Sequence, residues 1–199
     1  MRKATVTRKS KETNITVRLT LEGSGKTSVK TGIPFLDHML TLVGTHGLYD
    51  LVIKATGDLE IDRHHTNEDI GIVLGQAFDQ ALRDRQGIAR FGFAYVPMDE
   101  ALARVVLDFP GRPKLVLRDA RGKAMKPLSS SASYSWGDAE HFLESFVRTA
   151  KITLHIDLLA GADFHHTCEA VFKALGRALA QATRLDPRVK GIPSSKGRL

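Results

Sequence analysis

His64-His65-Thr66-Asn67-Glu68-Asp69 (HHTNED) is answered later in the chain by His165-His166-Thr167-Cys168-Glu169-Ala170 (HHTCEA). The correspondence runs on. Laying HHTNEDIGIVLGQAFDQAL on HHTCEAVFKALGRALAQAT matches His64 with His165, His65 with His166, Thr66 with Thr167 and Glu68 with Glu169. It also matches Leu74 with Leu175, Gly75 with Gly176, Ala77 with Ala178, Gln80 with Gln181 and Ala81 with Ala182. Upstream, FLDHML (Phe35 to Leu40) pairs with AEHFLE (Ala139 to Glu144), setting His38 against His141, and YDLVIKATGD pairs with AKITLHIDLL. Self-similarity over such a span means a duplicated supersecondary unit.

Each half has the same internal order. Runs of β-type alternation come first, NITVRLTLEG with TSVKTG and then EALARVVLDF with KLVLRD. A short helix follows near Pro34 or Asp138, both suited to a helix N-terminus. A further strand and a longer amphipathic helix close the unit, the latter striped by Ile70, Val73, Leu74, Ala77, Phe78 and Ala81. The expected fold is α+β, with internally duplicated β-β-α-β-α half-units and helices packed against two sheets. Residues 1–199 then make a single domain of two repeats, about 2–90 and 91–188, followed by a C-terminal tail. Gly122 to Gly137 (GKAMKPLSSSASYSWG) has no counterpart and reads as an inserted loop. Glu22 to Ser28 (EGSGKTS) imitates the end of a phosphate-binding P-loop, but the required first glycine falls at Thr20 and the segment joins two strands. A Gly-rich hairpin turn is expected there instead.

The chain of 199 residues is long enough to bury a proper core, and its composition is that of a soluble globular protein. No apolar run is long enough to span a bilayer, and MRKATVTRKSKETN lacks the apolar stretch of a secretory signal. With Cys168 as the single cysteine no intrachain disulfide can form, which suits a reducing cytoplasm. The net charge of +7 fits nucleic acid, a membrane surface or a phosphorylated metabolite. Scattered rather than blocked basic residues weaken the first two, so neither nucleic acid nor membrane is expected as a partner.

On an α-helix residues four apart are only about 40° out of line. His64 and Glu68 therefore share a face and can chelate one metal ion, while His65 points elsewhere; His165, Glu169 and His166 repeat the pattern. Adding His38 and His141 sorts the set into two groups, each a His-x-x-x-Glu face with single histidines from the other half. One is His38, His65, His165 and Glu169; the other is His64, Glu68, His141 and His166. The bland alternative is that these are capping and core histidines, with Glu68 and Glu169 completing helix N-termini. Repetition of the whole pattern favours metal. Imidazoles with one carboxylate suit Mn, Fe, Co or Zn, and spacing does not choose among them.

At these residues the chain resembles imidazoleglycerol-phosphate dehydratase of histidine biosynthesis. FLDHML, HHTNED, EHF, LHI, HHTCEAVFKALGRAL and the final DPR and IPSSKG carry the resemblance along essentially the whole chain. It implies a duplicated α+β fold assembled as a homo-oligomeric 24-mer, with active sites between subunits. Two Mn2+ per active site would be held by the histidines and glutamates of the two groups. The implied reaction removes water from D-erythro-imidazole-glycerol phosphate to give imidazole-acetol phosphate, through a metal-stabilised imidazolate and a diazafulvene-like species. The resemblance places Glu12 and His46 near the substrate without fixing their roles, with Glu68 and Glu169 also at the catalytic centre. Arg90, Arg112, Lys173, Ser194, Ser195 and Lys196 would surround the phosphate, making the tail a substrate-binding segment. For Glu12 on a polar N-terminal strand, and for any one of these basic residues alone, a solvated surface position is the simpler account.

Other classes stay open at this point. A metal-dependent phosphatase or amidohydrolase could use the same ions to activate water. An RNA-binding module on a similar scaffold would fit the charge, but Phe and Tyr are not interleaved with Lys and Arg as stacking platforms.

Overall fold

Ile15, Val17 and Leu19 alternate with Asn14, Thr16 and Arg18. In the computed structural model this alternation is strand β2 (Thr13–Thr20), with Ile15, Val17 and Leu19 buried and Asn14, Thr16 and Arg18 on the outer face. The structure describes residues 1–123 and 134–199, so most of the insertion at Gly122 to Gly137 lies outside the described residues. Strand β2 pairs antiparallel with β1 (Lys3–Lys9) and with β4 (Asp50–Gly57), and β3 (Thr27–Lys30) runs parallel to β4. The sheet order is β1-β2-β4-β3. The second half repeats it with β5 (Phe91–Met98), β6 (Ala101–Asp108), β8 (Thr153–Ala160) and β7 (Lys114–Arg118), in the order β5-β6-β8-β7.

The β-β-α-β-α unit is therefore present twice, each time preceded by one further strand. Neither leading strand carries a simple polar-out, apolar-in alternation. Only Val6 of β1 is buried, and β5 turns Phe91, Phe93 and Tyr95 outward.

One pairing differs from expectation. Strands β2 and β3 are not neighbours, because β4 lies between them, as β8 lies between β6 and β7. Glu22 to Ser28 is accordingly a crossover past the end of β4 and not a hairpin turn. The Asp50 carboxylate holds it, accepting from the N–H groups of Ser24 at 2.8 Å and Lys26 at 3.1 Å. Parallel neighbours need a long connection, and helices supply it: α1 (Pro34–Gly47) joins β3 to β4, and α3 (Trp136–Ala150) precedes β8. Helix α1 opens with Pro34 in its first turn, where no N–H is needed. In α3, Ser135 and Asp138 form a reciprocal capping box.

The halves interlock through their helices. Helix α2 (His64–Leu82) packs along α3, and α4 (Phe164–Thr183) packs along α1. The matched glycines permit this approach. A Cβ on Gly75 would lie 2.6 Å from the Phe146 carbonyl oxygen, and one on Gly176 would lie 2.6 Å from that of Val43. Phe78, Phe142, Phe146 and Phe172 fill the interior in mutual ring contact. Helices α2 and α4 also cover β1-β2 and β5-β6, so each sheet presents one face to the helices. Among the described residues, no helix is long and apolar enough to cross a membrane.

Candidate functional site

The crossed helix pairs decide which histidines meet. Helix α1 carries His38 to the first turns of α4, where His165 and Glu169 lie one turn apart. Nε2 of His38 and Nε2 of His165 stand 2.8 and 3.0 Å from the same Glu169 Oε1. Lys173, a further turn along, donates its Nζ to Glu169 Oε2. Burial alone would raise the Glu169 carboxyl, but hydrogen bonds from Lys173, His38 and His165 hold it down at about 2. The other pair repeats the arrangement. The rings of His64 and His141 stack with centroids 4.3 Å apart, and Glu68 lies beside them. Glu68 Oε1 accepts from Arg148 Nη2 at 3.1 Å, and Glu68 Oε2 lies 3.9 Å from His141 Nε2.

In each triad, His38-His165-Glu169 and His64-Glu68-His141, the ligand atoms lie within 4.8 Å of one another. Imidazole nitrogens facing one carboxylate oxygen fit Mn, Fe, Co or Zn. Capping does not explain these glutamates. The His64 N–H donates to Asp62 Oδ1 at 2.7 Å and the His166 N–H to Asp163 Oδ1 at 2.9 Å, so other carboxylates serve the helix starts.

Within one chain, His65 and His166 join neither triad. Nδ1 of His65 lies 2.9 Å from Asp58 Oδ2, and Nδ1 of His166 lies 2.8 Å from Glu100 Oε2. The Asp58 hydrogen bond raises the pKa of His65, and the Glu100 bond does the same for His166. Glu100 itself is held at about 2, first by the Asp163 N–H and then by His166. Glu12 sits in the turn between β1 and β2 rather than on a strand. Its carbonyl accepts from the Asp58 N–H at 3.1 Å, and its charge supports protonated His65, so Glu12 and His65 occupy one corner. His46 lies half-buried in the last turn of α1. Burial, then the cations of Lys173 and Arg177, lower its pKa and favour the neutral imidazole.

Arg90, Arg112, Ser194, Ser195 and Lys196 come together with Arg198 around a cavity of about 360 Å³. Arg90 is largely committed within it. Its fork grips Asp108 at 2.7 and 3.1 Å, and Nη1 donates to the Pro193 carbonyl at 2.7 Å, tying the tail down. Lys173 lies with Glu169 and does not line this cavity in the single chain. A groove of about 540 Å³ on the outer face of the first sheet is lined by Asn14, Arg18, Lys30 and Lys54 among others, without an imidazole or a carboxylate.

Sequence patterns do not disclose Asp58, Glu100 or Arg148. Asp58 is 7 residues from its histidine, Glu100 is 66 from His166 and Arg148 is 80 from Glu68, so no helical or strand period links them.

The model of the imidazoleglycerol-phosphate dehydratase family matches residues 31–179. The chain is 53% identical over 200 residues to the imidazoleglycerol-phosphate dehydratase of Aromatoleum aromaticum, covering 100% of both chains. It is also 53% identical to that of Hahella chejuensis over 199 residues, 100% of this chain and 98% of the relative. Among solved structures, imidazoleglycerol-phosphate dehydratase from Staphylococcus aureus superposes with a TM-score of 0.80 at 36% identity, covering 92% of this chain and 99% of that one. The IGPD of Pyrococcus furiosus gives 0.82 at 36% identity, covering 98% and 100%.

Proposed function

This chain belongs to the imidazoleglycerol-phosphate dehydratase family of hydro-lyases, and we propose that it converts D-erythro-imidazole-glycerol phosphate to imidazole-acetol phosphate in L-histidine biosynthesis. One observation carries the proposal beyond family membership: two His-His-Glu triads, built alike at the two helix crossings. We assign His38, His165 and Glu169 to one Mn2+, and His64, Glu68 and His141 to a second, with His65 and His166 completing the two sets from neighbouring chains. When bound, the ions supply Lewis acidity to the substrate's ring nitrogens.

That role answers a difficulty in the reaction. The proton to be lost sits on a carbon with no adjacent carbonyl and is hardly acidic. A ring with imidazolate character can instead expel the neighbouring hydroxyl first, through a diazafulvene-like species whose next C–H is acidic. The resulting enol then tautomerises to the ketone. The chain must offer a proton acceptor and a donor near those carbons. Glu12 brings a carboxylate and His46 a neutral imidazole, and both are candidates. Arg112, Ser194, Ser195 and Lys196 would receive the phosphate, Arg90 would fix the tail, and Lys173 would reach the phosphate from the rim of the first triad.

Assembly into a 24-mer with sites between subunits is part of the same proposal, as is a cytoplasmic setting without nucleic-acid or membrane partners. The deciding experiment is a manganese-dependent assay for imidazole-acetol phosphate. Release of inorganic phosphate from the substrate instead would sink the dehydratase reading and support a phosphatase.

A further inference from the structure

Two carboxylates stand behind the two histidines that the triads leave out. Asp58 engages Nδ1 of His65 at 2.9 Å and Glu100 engages Nδ1 of His166 at 2.8 Å, leaving Nε2 on the far side of each ring. These carboxylates do not occupy equivalent positions in the two halves. The equivalent pair is Glu12 and Glu100, each immediately preceding an eight-residue strand, β2 or β6. Gly57 and Gly161 also correspond, since each packs against one of the matched threonines, Thr66 or Thr167. The next residue is Asp58 in the first half and Ala162 in the second.

The partner of that residue's N–H differs as well. The Asp58 N–H donates to the Glu12 carbonyl at 3.1 Å, whereas the Ala162 N–H donates to Glu100 Oε1 at 3.3 Å. The second half thus holds its histidine with the glutamate of the turn. The first half uses the residue after the glycine, and no hydrogen bond engages the Glu12 carboxylate among the described residues.

We infer that Asp58 and Glu100 are positioning residues for metal binding, each fixing its histidine with Nδ1–H toward the carboxylate and Nε2 as the atom donated to an ion on a neighbouring copy's triad. Placing this task on Asp58 keeps the Glu12 carboxylate available to substrate. The inference rests on the metal-centre reading above. The partner of one imidazole nitrogen decides which tautomer the other presents to a metal. Asp58 Oδ1 is buried with no donor, so rotation of His65 would leave a buried carboxylate without its N–H partner. Glu100 is fixed in another way, its Oε1 accepting from the N–H groups of Ala162 at 3.3 Å and Asp163 at 2.9 Å. The exposed Asp99 carboxylate, 3.5 Å from His166 Nε2, adds negative charge on the side from which a cation arrives.

The test is titration of the intact, metal-stripped protein with Mn2+, following free Mn2+ by its electron paramagnetic resonance signal. Wild type is expected to bind two ions per chain. Asp58→Asn keeps the side-chain volume but loses the charge, and should weaken one ion about 10- to 100-fold while sparing the other. Glu100→Gln should do the same to the opposite ion, and the double variant should weaken both. Asp58→Asn should add little to His65→Ala, because both act on one ring. Wild-type affinity in both single variants would overturn the inference, as would equal weakening of both ions by either one. A wild-type protein that binds no Mn2+ would overturn the metal centre itself, a result distinct from normal loading in the variants.

Discussion

His38 and Glu169, 131 residues apart in sequence, share a hydrogen bond of 2.8 Å because α1 and α4 lie in close backbone contact. Gly176 makes that contact possible, as Gly75 does for the other helix pair. The two His-His-Glu triads are therefore consequences of helix packing, and if they hold ions as proposed, packing changes should be read out in metal content.

Gly176→Ala tests this. The new methyl would lie 2.6 Å from the Val43 carbonyl oxygen and 3.2 Å from the Gly47 nitrogen, both backbone atoms that yield only if α1 moves. Overpacking of this kind should destabilise the protein by about 1–3 kcal/mol in urea denaturation. It should also reduce binding of one metal ion more than the other. Unchanged stability with full metal content would mean that the helices are not spaced as described.

Replacing a ligand should be more severe. If both ions act on the imidazole ring as proposed, either His64→Ala or Glu169→Ala should abolish turnover, each by emptying a different metal position. Metal analysis beside the activity assay checks this. Near-normal turnover with unchanged metal content would remove the residue from the ligand set.

Much of this architecture was legible in the duplicated motif. A helical period of 3.6 turned HHTNED and HHTCEA into shared faces, and the alignment paired Gly75 with Gly176, although their role at the helix crossings came only with the structure. What could not be read was strand order. Local alternation identifies β2 and β3 as strands, but nothing local says that β4 inserts between them. The leading strands also escaped, since β5 exposes Phe91, Phe93 and Tyr95 and so inverts the usual pattern. In the site, the triads follow from helix faces, whereas Asp58 and Glu100 reach their histidines through loops, where spacing carries no geometry.

Metal removal should change the size of the assembly. Ligands expected from neighbouring chains make bound metal a stabiliser of the state that holds it. Chelation at moderate protein concentration should give smaller particles by light scattering, and Mn2+ should restore the large ones. A particle of unchanged size after verified metal removal would show that protein interfaces alone suffice.

The depressed pKa of His46 gives a pH prediction. Folded His46 takes up its proton at lower pH than the same residue unfolded, where the value is about 6.5. Between those values the unfolded chain binds more protons, so stability falls as pH drops through 6.5 and this contribution levels off below the folded value. His46→Gln lacks that contribution and should lose less stability than wild type on acidification across this window. Urea denaturation at a series of pH values compares them, and parallel profiles would show that His46 is not held neutral.

Lys196→Ala should weaken substrate binding and leave both metal ions in place. Lys196 lies with Arg112, Ser194 and Ser195 around the cavity of about 360 Å³, on a tail that Arg90 fastens through the Pro193 carbonyl. Arg90 spends its fork on Asp108, so Lys196, Arg112 and Arg198 are the cations there better placed to meet a phosphate dianion. A charge-assisted contact is worth roughly 1.5–3 kcal/mol, or about ten- to a hundredfold in affinity. If the phosphate is gripped alike in ground and transition states, KM should rise by that factor with kcat unchanged. If the tail also sets the ring over the triads, kcat should fall too, and Arg90→Ala, which removes the bond to the Pro193 carbonyl, should lower it further. Steady-state kinetics with metal analysis separates these cases. Unchanged kcat/KM at full metal content would make Lys196 a surface residue and leave Arg112 and Arg198 as the cations to test.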